Sequence, residues 1–229
     1  MGDTRISSGV RSVIHPSRGS PESGPSRETS LPRREPLSRE HRRILAFSIA
    51  YLVVFAFIAF ASGNYEFVYY LGLMAALIVF VVVYHRALQL SNVVLATLSL
   101  VGLLHVMGGT IHVDGTRLYD LDWLGGRVHY DNMVHMVAVF VVTLVLYSAL
   151  TPHVDRTIRH SNVLLSAMLI LMALGVGTIN EIVEFGAVVF LGSAETVGDY
   201  WNNSLDLVFN LVGSVGAALL ISFHHRRQE

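Results

Sequence analysis

The chain has 229 residues, 52% of them hydrophobic and 14% charged, with a formal net charge of -1 and a pI near 6.8. That balance is too apolar for an ordinary soluble domain, and it offers no dense basic patch to neutralise phosphates, so nucleic acid is excluded as a partner. Cysteine and lysine are both absent, which removes disulfides, thiolate chemistry and lysine bases; any metal must be held by imidazole and carboxylate.

From the N-terminus, residues 1–43 hold five of the six prolines and nine of the sixteen arginines without apolar periodicity, the composition of a disordered tail. Arg39, Arg42 and Arg43 then abut a full-length apolar run, the arrangement of a signal anchor rather than a cleaved leader. Six apolar runs follow, near 44–62, 66–85, 91–112, 131–150, 163–191 and 203–223, each about the 20 residues a crossing helix needs. The fold expected is an all-α membrane bundle of about six helices, its transmembrane domain covering 44–223 and a short end at 224–229. Tail arginines, Arg86, Arg156, Arg159, Arg226 and Arg227 fall on one side of it, and only Arg117 and Arg127 on the other. Such asymmetry predicts both termini in the cytoplasm and residence in the cell (inner) membrane. The outward connection 113–130, with Trp123, Gly125 and Gly126, is long enough for a lid across the mouth or an interfacial loop.

With that orientation, the rise of about 1.5 Å per residue converts position into depth. His105 near the end of span three, Asp131 and His135 at the start of span four, Asn180, Glu181 and Glu184 late in span five, and Asp206 and Asn210 early in span six reach one level in the outer leaflet. Asp131 and His135, Asn180 and Glu184, and Asp206 and Asn210 are i,i+4 pairs, and Glu181 and Glu184 are i,i+3, so each pair shares a helix face. Intramembrane carboxylates are expensive and mark functional sites. Simpler readings stand beside this one. Asp131 fits an N-cap, and Asn203 with Asp206 a capping pair. His105 and the two asparagines fit helix-bridging hydrogen bonds. The Glu pair, near a helix C-terminus where the dipole disfavours anions, needs a cation, a proton or Arg127. His112 and His129 read as interfacial and the remaining histidines as solvated. Gly175, Gly177, Gly186, Gly213 and Gly216 would let spans five and six approach closely. Ser204 and Thr178 lack a nucleophile-elbow context.

Four motifs, His105-Val-Met-Gly108-Gly109, Tyr130-Asp131-x-x-Val-His135, Asn180-Glu181-x-x-Glu184, and Gly198-Asp199-Tyr-Trp201 followed by Asp206-x-x-x-Asn210-x-x-Gly213, resemble the YjdF-like inner-membrane protein family and, more distantly, the VanZ-like membrane proteins. The resemblance covers roughly residues 100–216. It implies a polytopic membrane protein and brings no activity with it; the VanZ-like link suggests an envelope role only by analogy. One departure is Asn202, where the family pattern carries an acid in many members.

The ligand set His105, Asp131, His135, Glu181, Glu184 and Asp206 suits a divalent ion such as Zn or Mn. Glu181 and Glu184 are the candidate catalytic groups of a metal-dependent membrane hydrolase or transferase acting on a membrane lipid or lipid-linked substrate. Two other classes compete: a non-enzymatic structural or regulatory membrane protein, and a small proton-coupled carrier. The bare inner halves of the spans and the lack of an inverted repeat speak against the carrier. Nothing in the sequence sets the oligomeric state.

Overall fold

The computed structural model describes residues 37–123, 125, 128–193 and 199–226. The tail as far as residue 36, Arg127 and residues 194–198 and 227–229 lie outside them. Side-chain oxygens place the helix starts, by accepting from the free N–H groups of each first turn. Ser38 opens α1 (Arg39–Ala61), Asn64 opens α2 (Tyr65–Leu88), and Ser91 opens α3 (Asn92–Thr110). In α4 (Tyr130–Leu150) the cap is a reciprocal pairing of His129 with Asn132. A short α5 (Arg156–His160) leads into α6 (Asn162–Leu191), capped by Ser161 and stopped by Gly192 at φ 73°. In α7 (Tyr200–Arg226) the Asn202 amide N–H donates to Asp199.

Six of these helices are long and apolar enough to cross a membrane. Side chains such as Phe57, Phe80, Val163 and Phe190 stand exposed on the outer faces of the bundle, a surface suited to lipid rather than water. The fold is therefore the expected all-α, six-helix membrane bundle.

The central helix is α4, which packs against α3, α6 and α7. Gly213 of α7 permits the closest approach, because a Cβ there would collide with the Met136 carbonyl of α4. The α7 glycines thus serve the contact with α4, not the expected contact with α6; Gly216 also faces Phe140, and only Gly177 of α6 abuts α7, under Asn210. Overpacking of this kind costs about 1–3 kcal/mol. Gly213→Ala should lower the thermal unfolding temperature in detergent, while Gly175→Ala, with open space around its Cα, should be neutral or slightly stabilising.

Polar ties fasten the bundle away from the site. Ser48 of α1 and Ser99 of α3 hydrogen-bond at 2.6 Å, and Ser166 of α6 meets Ser222 of α7 at 3.1 Å. At that same end His225, expected in solvent, bonds the Tyr147 hydroxyl at 2.5 Å, because α7 continues as helix past the apolar run and carries the imidazole against α4.

The connection between α3 and α4 is built rather than loose. Strands β1 (His112–Val113) and β2 (Thr116–Arg117) form a hairpin in the register His112↔Arg117, turned by Asp114 and Gly115 at φ 53° and 85°. A single 3-10 turn (Leu118–Asp120) follows, and then β3 (Asp122–Trp123) pairs with β4 (Val128–His129), Asp122 opposite His129. His129 and Asp122 also pair through their side chains at 3.0 Å. The 3-10 turn drives Tyr119 into the core beside Phe67, Val106 and Val134.

Candidate metal centre

Four helices bring their polar residues to one end of the bundle. His135, 8% exposed, is the hub. Its Nε2 lies 3.7 Å from Asp131 Oδ1, 3.8 Å from Glu184 Oε1 and 3.9 Å from Asp206 Oδ1, and its Nδ1 lies 3.5 Å from Glu181 Oε1. These separations exceed hydrogen-bond lengths. They suit donors around a common cation: two ligands about 2.1 Å from a tetrahedral zinc are about 3.4 Å apart. The donor atoms form two overlapping sets, Asp131 with His135 and Asp206, and His135 with Glu181 and Glu184, each within 4.8 Å of one another.

Around the donors stands a shell of amides. Asp206, fully buried, accepts from Asn132 Nδ2 at 2.7 Å and from Asn202 Nδ2 at 3.0 Å. Asn180 Nδ2 donates to Glu184 Oε1 at 2.7 Å. Such contacts orient ligating carboxylates and raise metal affinity. Asn202 is thus a donor to Asp206, and an acid in its place would set two carboxylates face to face. Both oxygens of Glu181 and both polar atoms of Asn210 are buried without a hydrogen-bond partner. Buried carboxylates left this way are costly, and either a cation or a proton would relieve them.

The simpler readings of Asp131 and Asp206 as caps do not match the backbone. His129 caps α4, leaving Asp131 one residue inside it, and α7 begins at Tyr200, so Asn203 and Asp206 lie within the helix. The acid that accepts at the start of α7 is Asp199. Arg127, the proposed guanidinium partner of the Glu pair, lies outside the described residues. Arg117, the other arginine on that side, forks onto Asp120 with two bonds of 2.9 Å.

His105 belongs to neither donor set. It stacks on Phe67 at 6.0 Å, meets Tyr70 edge-on, and bonds the Tyr119 hydroxyl through Nδ1. Tyr119 lies directly on Gly108, where a Cβ would strike its ring, and Gly109 likewise makes room for Phe67. Burial, joined by the negative charges of Asp131 and Glu184, holds the Tyr119 phenol well above its ordinary value near 10. The folded state therefore binds this proton more tightly than the unfolded chain, and stability is untouched below about pH 10 and falls above it. On alkaline titration in detergent, followed by tyrosinate absorbance, Tyr119→Phe should remove one phenol from those that ionise only as the protein unfolds.

Asn132 and Tyr119 were not among the residues singled out in the sequence. Asn132 was discoverable, lying i−3 from His135 and next to Asp131; Tyr119 carried no periodic signal because a 3-10 turn positions it.

These observations define a polytopic membrane protein with a buried histidine–carboxylate cluster at one end of its bundle. The chain belongs to the family described as Predicted membrane protein (DUF2238), which matches residues 43–227. This is the YjdF-like family to which the motifs pointed. No curated protein and no solved structure matches the chain.

Proposed function

We propose that the cluster binds a divalent cation, zinc or manganese, and that the protein is a metal-dependent hydrolase or transferase of the cell (inner) membrane. The observation that carries this is four carboxylates converging on the two nitrogens of His135 at 3.5 to 3.9 Å. Asp131, Asp206 and Glu184 would share the ion on the Nε2 side. A bound divalent ion polarises an ester or phosphoryl oxygen and acidifies water. Glu181 and Glu184 would supply the carboxylate oxygen that takes the proton of that water. Asn132, Asn180 and Asn202 hold the acids in place, and His105 with Tyr119 walls the site toward α2 and α3.

Arginine asymmetry puts both termini in the cytoplasm and the cluster in the outer leaflet. At that depth the reactive bond would belong to a lipid headgroup or a lipid-linked substrate. The polar groups gather at one end of the bundle, which favours this reading over a carrier with a pathway through both leaflets.

Elemental analysis of the detergent-purified protein should find tightly held zinc or manganese, and chelation should abolish turnover of phosphate- or ester-linked lipids presented in mixed micelles. Metal-free protein after purification and rebinding trials would overturn the reading. The orientation is tested separately, without background because the chain has no cysteine. A cysteine at Asp114 should react with a membrane-impermeant maleimide in intact cells, and one at His153 only after permeabilisation. The reverse pattern would place the cluster in the cytoplasmic leaflet.

A further inference from the structure

At the end of the bundle opposite the cluster, α1 and α2 separate. Toward the cluster they share one buried group of side chains, Tyr51 and Ala59 of α1 with Phe67, Tyr70 and Leu71 of α2. Nearer the arginine-bearing end α1 turns to α3, through the Ser48–Ser99 hydrogen bond and through Tyr51 lying on Gly102. What remains between α1 and α2 is a groove of about 330 Å³, walled by Leu45, Ile49 and Leu52 on one side and by Ala75, Val79 and Val82 on the other. Its lining is apolar, so water entering it finds no hydrogen-bond partner. Ile49, Ala75 and Val79 are exposed, so the groove opens on the outer surface of the bundle, where the bilayer lies.

The mouth of the groove is polar and of one sign. Arg42 precedes Leu45, Ile49 and Leu52 by three, seven and ten residues in α1, spacings that share one side of a helix. It is exposed and, among the described residues, makes no ion pair, whereas the neighbouring Arg43 is held by Glu40 at 2.9 Å. On α2, Arg86 follows Val82 by four residues. Between the helices the His41 and His85 rings meet edge to face with centroids 6.3 Å apart, and His85 Nδ1 donates to the Val82 carbonyl at 2.8 Å. Topology alone places arginines at the ends of spans, but it does not require an apolar groove aligned with them. A guanidinium suits a phosphate, and polybasic helix ends attract anionic lipids.

We propose that the groove between α1 and α2 binds one anionic phospholipid from the leaflet at the arginine-bearing end, an acyl chain in the groove and the headgroup at Arg42, His41 and His85. From Leu45 to Leu52 the groove runs about 10 Å along α1 at 1.5 Å per residue, room for a stretch of chain rather than a headgroup. The lipid joins two helices that side chains leave apart there. The site is independent of the metal reading, since it lies at the other end of the bundle.

The test uses the full chain in detergent, equilibrated with equal amounts of phosphatidylglycerol and phosphatidylcholine of identical acyl chains, with retained lipid counted by native mass spectrometry. One phosphatidylglycerol per chain should be held in preference to phosphatidylcholine. Arg42→Gln should weaken that retention about fivefold, the share of one arginine in attraction to an anionic lipid surface. Arg159→Gln removes the same charge at the same end, from α5, and should leave retention unchanged. Ala75→Phe fills the groove and should displace the lipid although every arginine remains. Arg42, Ala75 and Arg159 are all exposed, so these variants leave the packed core intact. Equal retention of the two lipids by the parent, or retention of neither, would overturn the proposal. So would equal losses in Arg42→Gln and Arg159→Gln, which would mean diffuse attraction, or binding that survives Ala75→Phe, which would place the lipid elsewhere.

Discussion

His135→Phe is expected to abolish tight metal binding while leaving the bundle folded. Phenylalanine keeps a flat ring, slightly larger than the imidazole, at this buried position, but it offers no donor to either set. Loss of a residue that merely orients a ligand lowers affinity about 10- to 100-fold; loss of the ligand common to both sets should exceed that. The reading is made by thermal unfolding in detergent with and without zinc. At about 100 times its dissociation constant a cation stabilises the native protein by about 2.7 kcal/mol, and that increment should vanish in the variant. An equal metal-induced shift in both proteins would show that His135 is not a ligand.

A reversal of sign is expected at Asp206. In chelator the carboxylates of the cluster repel one another, and unit charges about 4 Å apart at an effective dielectric near 20 interact by about 4 kcal/mol. Asp206→Asn removes one of them while keeping an oxygen for Asn132 or Asn202 to bond. It should therefore raise the unfolding temperature of the metal-free protein and lower that of the metal-loaded one. Asp206→Leu should lower both, because two buried amides lose their acceptor at roughly 1–3 kcal/mol each. A purely structural cluster predicts something else: Asp206→Asn would destabilise equally in either condition, with no dependence on metal. The comparison thus separates a site kept at the expense of stability, as functional sites commonly are, from a polar lock between helices.

The number of apolar helices, the near bounds of each and the end of the helices at which the polar residues meet were all legible in the chain. Hydropathy and helical rise are local properties, set by composition and by a fixed 1.5 Å per residue, so they survive without knowledge of neighbours. Likewise, the i,i+4 spacing of Asp131 with His135 put both on one face before any packing was known. What the chain could not reveal was which face turns toward which helix. Gly213 and Gly216 looked like the partners of α6 glycines and instead admit α4, because a small residue permits close approach without naming the helix that approaches. His105 and His135 reach the same depth by helical rise, although only His135 has an acid one turn away. Helix rotation alone separates them, turning one toward Tyr119 and Phe67 and the other toward four carboxylates. The caps at His129 and Asp199 and the inward turn of Tyr119 arise from the short connections, where hydrophobic periodicity carries no information. The sequence alone thus determined that acids and histidines gather at one end of the crossing helices. Only the tertiary structure decided that Asp131, His135, Glu181, Glu184 and Asp206 converge while His105 stands apart, since convergence depends on rotations and crossings set by packing between helices distant in the chain.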